Sequence, residues 1–161
     1  MVELIVVVGV IAGIMAMIGG IMINTYKANN KTIMMQAVDE NGSWAIEKIR
    51  QYVLSNSGAT IECRNDAGIG QILIKDAENG TGVYCRWDDV ETHLGSILSV
   101  DEELTKSNEV MVNCDTFGIA CDEASGLVTG IGVSFYIFAG DTNSVSSYVG
   151  KIFNTKITLR N

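Results

Sequence analysis

Residues 4–23 read LIVVVGVIAGIMAMIGGIMI, a run without a charged side chain, and Glu3 is the single ionisable side chain in the first 23 positions. At the α-helical rise such a run spans roughly 30 Å, the hydrocarbon thickness of a bilayer. A cleaved signal peptide has a shorter apolar region, a basic flank ahead of it and a small-residue cleavage site behind. This run has none of these and passes directly into INTYKANNK, so it reads as a retained membrane segment. Lys27 and Lys31 lie just beyond it. By the positive-inside rule they would place that side in the cytoplasm, unless a basic leader ahead of Met1 reverses the bias.

No proline occurs anywhere in the chain, so nothing forces a break after the apolar run. Over residues 24–54, Met34, Val38, Ala45, Ile49 and Tyr52 or Val53 recur at three- and four-residue steps, with Gly42 as a weak point. One helix of about fifty residues is expected, its first half apolar all round and its second half amphipathic. The SNSG sequence at residues 55–58 ends it.

Thereafter the pattern changes to short alternating runs punctuated by glycine. Strands are expected at residues 60–63, 71–75, 83–87, 110–114, 128–138 and 151–159. Ile131, Val133, Phe135 and Ile137 alternate in the fifth, and Ile152, Ile157 and Leu159 do so in the sixth. NGTG at residues 79–82 is a hairpin signal. Residues 91–106 fit either a short helix or a loop. The expected architecture is α+β, a long N-terminal helix packed on a C-terminal antiparallel sheet. It divides into an apolar membrane or core helix (1–23), an amphipathic continuation (24–56) and a β-rich globular domain (57–161).

The four cysteines, Cys63, Cys85, Cys114 and Cys121, all lie in the β-rich part. An even number behind a membrane anchor fits two disulfides in an oxidising compartment. Of the three connectivities, the expectation is Cys114 with Cys121, closing CDTFGIAC, and Cys63 with Cys85 across neighbouring strands. The absence of CxxC spacing gives no support to zinc-ribbon or thioredoxin-like chemistry.

A formal net charge of −8, with 11 scattered basic residues, argues against a nucleic-acid partner. His93 is the sole histidine, and with Asp88, Asp89 and Glu91 it does not follow the spacing of a calcium loop. Asp115, Asp122 and Glu123 form a second, equally weak acidic group. No metal and no cofactor are expected. GxSxG, Walker A, Rossmann and HExxH patterns are absent, so no enzymatic activity is expected. Glycosylation sequons occur at Asn30, Asn41 and Asn79, and Asn79, in a turn, is the best acceptor of the three.

Glu3 is the residue out of place. A carboxylate near the bilayer centre costs about 2.5 to 3.5 kcal/mol, and less at an interface. A partner that cancels its charge is the terminal amine of a neighbouring, axially staggered chain. The sequence MVELIVVVGVIAGI resembles the N-terminal signature of type IV pilins and pseudopilins: a short hydrophobic lead, Glu, Leu, then a Val- and Ile-rich run. The ending FNTKITLRN resembles the last strand of some minor pilins and larger pseudopilins. In that family the glutamate is fifth in the mature chain and a helix-breaking proline follows; here it is Glu3, and Gly19 and Gly20 stand in for a locally unwound stretch.

The resemblance implies a structural filament subunit in which Glu3 pairs with the amine of Met1 in an adjacent copy. Gly9 and Gly13, a GxxxG pair, would let helices approach closely in the core. It also implies identical or homologous pilin subunits as partners, an inner-membrane assembly machinery and a prepilin peptidase. The subunit would sit in the membrane before assembly and then in an extracellular filament, or a periplasmic one for a pseudopilin. The competing expectation is a single-span, membrane-anchored extracellular binding protein that never polymerises and gives Glu3 no role.

Overall fold

The computed structural model describes residues 2–56, 61–66, 69–74, 82–89, 94–99, 102–124, 127–140 and 148–159. The first element is a single helix, α1 (Val2–Ser55), of 54 residues. It runs unbroken through Gly19 and Gly20, so no unwound stretch is present in this chain. The expected stop is where the helix ends. The Asn56 backbone N–H and its side-chain amide both donate to the Tyr52 carbonyl, which satisfies an orphan acceptor of the last turn.

Among the described residues seven strands follow: β1 (Ile61–Asp66), β2 (Ile69–Ile74), β3 (Gly82–Asp89), β4 (Leu94–Leu98), β5 (Met111–Ala124), β6 (Leu127–Gly140) and β7 (Tyr148–Thr158). Each pairs antiparallel with the next, so sheet order follows chain order. The architecture is therefore the expected α+β one. Two features differ from expectation. Residues 94–98, within the stretch left open between helix and loop, form β4, a strand with its centre buried on both faces. The fourth expected strand, 110–114, is the start of a much longer β5, because a bulge carries the strand past CDTFG instead of ending it.

In that bulge, Cys114 to Phe117 stand opposite a single step of β6. The Asn113 side-chain oxygen accepts from the Asp115 backbone N–H at 3.0 Å, and Thr116 Oγ1 donates to the Asn113 carbonyl at 2.7 Å. Thr116 Oγ1 also accepts from the Tyr136 N–H, so the displaced backbone keeps a partner across the sheet.

β4 pairs with β5 at only Leu94↔Asn113 and Gly95↔Val112. Beyond them the β1–β4 limb turns back, and β1 and β2 pack against the distal half of β5. In a flat sheet β1 and β5 would stand four strand spacings apart, about 19 Å. Their cysteines Cys63 and Cys121 have Cα atoms 5.8 Å apart. The sheet is thus rolled over itself, and a disulfide holds the roll closed.

The pairing is Cys63–Cys121 and Cys85–Cys114, with no free cysteine. This corrects the expected connectivity on both counts. Cys114 and Cys121 lie on one strand, too far apart along an extended backbone to be bridged. Cys63 and Cys85 lie on β1 and β3, with β2 between them.

The core forms where the second half of α1 meets β6 and β7. Val38, Gly42, Ala45, Ile49 and Val53 are buried on one helical stripe, and Phe117, Phe135 and Phe153 form an aromatic row across β5, β6 and β7. Gly42 is no weak point. A Cβ there would overlap the Phe153 ring, so glycine is what lets the helix settle onto this row. On β7 the inward set is Val149, Phe153 and Ile157, with Leu159 buried just past its end; Ile152, expected inward, is 68% exposed on the opposite face beside Tyr136. The pleat sets this, since even and odd positions face opposite sides.

Candidate functional site

Between residues 2 and 23, α1 buries no side chain against the other described residues. Its large apolar side chains, from Val2 to Ile23, are 48–75% exposed, whereas the stripe from Val38 to Val53 on the same helix is at most 1% exposed. Fifteen Val, Leu, Ile and Met side chains lie in that bare segment. Covering them is worth on the order of 20 kcal/mol or more, far beyond the net stability of a domain. A surface of this size has a partner in its working state, either lipid or protein. By length and composition the helix is able to cross a membrane.

Glu3 lies in the first turn of α1, where a carboxylate interacts favourably with the helix dipole. Gly9 and Gly13 stand one helical turn apart with open space where a side chain would be, so a second helix can approach the backbone there. Met1 lies outside the described residues, so its amine has no place in this geometry. The site is thus one continuous rod with a single charge near its end and a flat glycine step about two to three turns further along.

Lys27 and Lys31 are exposed, and Met34 is the first apolar side chain of α1 packed against the core, partly buried. The first fully buried position is Val38. The junction is fixed by Asn41, 4% exposed, whose side chain accepts from the Lys106 N–H at 3.0 Å and donates to the Ala37 carbonyl and to Glu109. That bonding occupies the sequon asparagine and removes it as a glycosylation acceptor in the folded chain. Asn30 is half-buried, and Asn79 lies outside the described residues.

The acidic groups are scattered. Asp88 sits 3.4 Å from Arg86, Asp122 pairs with Lys156 at 2.7 Å, and Asp115 is in the β5 bulge. Glu91 and His93 lie outside the described residues. Among the described residues, no three His, Cys, Asp or Glu side chains come together as a metal site would require.

Two features escaped the sequence reading. Asn41 holds the 102–110 turn to the helix, and a polar residue one position off the apolar stripe was its only signal. Trp44 is 49% exposed on α1 with Lys48 Nζ 4.5 Å above its ring. Its place outside the stripe, at the i+4 step from Glu40, is its signal in the sequence.

Comparison with protein-family models, with curated proteins and with solved structures finds no match to the chain.

Proposed function

We propose that the chain is a type IV pilin-like structural subunit, which polymerises by bundling its N-terminal helix with those of other copies. The observation that carries this reading is the contrast within α1. One half buries a stripe from Val38 to Val53 on its own sheet, while the other half is bare and apolar on every side. The likeness of MVELIVVVGVIAGI to the pilin signature supports it. So do two disulfides, which belong to the oxidising side of a membrane.

In this reading the bare rod lies in lipid before assembly, with the sheet domain outside. On assembly the rod leaves lipid and packs against neighbouring rods, so its apolar surface stays out of water at both stages. Gly9 and Gly13 set how closely the rods approach. Glu3 takes the terminal amine of a staggered neighbour, and the pair forms only at the right axial offset, which fixes register. The sheet domain then clothes the filament and presents its outer face to the surroundings.

Glu3→Ala tests the register step. The variant is expected to fold, to form both disulfides and to fractionate with membranes as the native chain does, while filaments recovered by shearing are lost. Normal filaments from this variant would remove Glu3 from the mechanism. A native chain that stays strictly monomeric in the membrane would favour an anchored binding protein instead.

A further inference from the structure

A groove of 380 Å³ opens where α1 passes the 102–106 turn, lined by Glu40, Asn41, Trp44, Glu102, Glu103 and Leu104 together with Lys106. Around it, Glu102 pairs with Lys48 at 2.7 Å and Glu109 with Lys106 at 3.3 Å. Glu103 accepts from the Ser107 N–H, while Glu40 has no ion-pair partner among the described residues. Four carboxylates therefore face two ammonium groups, an excess of two negative charges beside a half-open indole.

Among the described residues, Lys27, Lys31 and Arg50 have no ion-pair partner, and Arg50 lies on the part of α1 that packs on the sheet. Lys27 and Lys31, one helical turn apart on the free stretch of α1, are exposed and have no ion pair among the described residues. They cannot reach their own groove, because they and Glu40 are fixed on one rigid helix. The two stripes do match in spacing: Lys27 and Lys31 are one i,i+4 pair, and Glu40 and Trp44 are another. The offset between them is about 13 residues, or roughly 20 Å at the helical rise.

We infer that the groove receives the Lys27–Lys31 segment of a second copy, parallel and displaced by that offset. Lys27 meets Glu40, and Lys31 lies over the Trp44 face opposite Lys48, beside the excess acidic charge. This deepens the polymerising reading and rests on it. The offset is larger than the step set by a Glu3–amine pair, so the contact joins copies several steps apart in the same array. It is a second register device, placed at the water-facing end of the rod, where Glu3 has no reach.

The test uses the full chain assembled into polymer. Because all four native cysteines are bonded, Lys27→Cys with Glu40→Cys introduces the only free thiols. Oxidation of assembled material is expected to give a ladder of covalently linked chains, and the pair Lys27→Cys with Ser134→Cys, on the outer sheet face, is expected to give none. In parallel, Lys27→Glu should raise the concentration needed for assembly about fivefold, the size of one exposed ion pair, and adding Glu40→Lys should restore it. Polymer that forms without the ladder, or without rescue, overturns this contact and leaves the polymerising reading standing. Absence of polymer from the unmodified chain overturns both.

Discussion

At Gly42 the backbone of α1 lies directly against the Phe153 ring, and no side chain fits between them. Gly42→Ala gains helix propensity but forces the ring or the helix to move. A net loss of about 1–3 kcal/mol is expected in chemical denaturation of the intact protein. Asn41 is a neighbouring case of another kind. Asn41→Ala removes the acceptor of the buried-side Lys106 N–H, with an expected cost of about 1–3 kcal/mol. A third residue, Tyr148, bears on pH. Half-burial, a hydrogen bond with Tyr136 and the proximity of that second phenol push its pKa from 10.0 up to about 12. The folded chain then holds this proton where the unfolded chain releases it. The contribution to stability is whole below pH 10 and is lost as the pH rises from 10 to about 12. In Tyr148→Phe the decline in stability over that window should be shallower, as read from denaturant midpoints.

At the scale of elements, the helix was the most legible part of the sequence. Two independent patterns, an uncharged run and a three–four repeat, join without a proline between them, and α1 follows both. The β6 alternation was equally clear, since Ile131, Val133, Phe135 and Ile137 all face the core. What failed was whatever depends on the path of the sheet through space. β4 is a short strand buried on both faces, so it carries no alternation to detect. The β5 bulge hides the continuity of a strand behind a turn-like CDTFG. The disulfides follow from the rolling of the sheet, which no local spacing records. The roll itself is testable: peptide mapping of the oxidised protein should recover Cys63 linked to Cys121 and Cys85 linked to Cys114. Replacing the first pair by serine should cost about 4 kcal/mol, because that bond closes the longer loop. Recovery of a Cys114–Cys121 peptide would contradict the rolled sheet.

For the molecule as a whole, the domain and the rod meet different surroundings. The domain closes on its own core, stapled by two disulfides. The rod packs on none of the other described residues. Its large apolar side chains are about half to three-quarters exposed and its glycine step is open. Candidate-site residues on the rod were readable from sequence because their setting is linear. Glu3, Gly9 and Gly13 stand where spacing alone puts them. The central claim is that other copies of the same rod provide the cover. A photo-crosslinking side chain at Ile11, near the middle of the bare segment, addresses this directly in detergent-free assembled material. The account predicts adducts between chains, extending to long oligomers. Adducts with lipid alone, from a chain that remains monomeric, would contradict it.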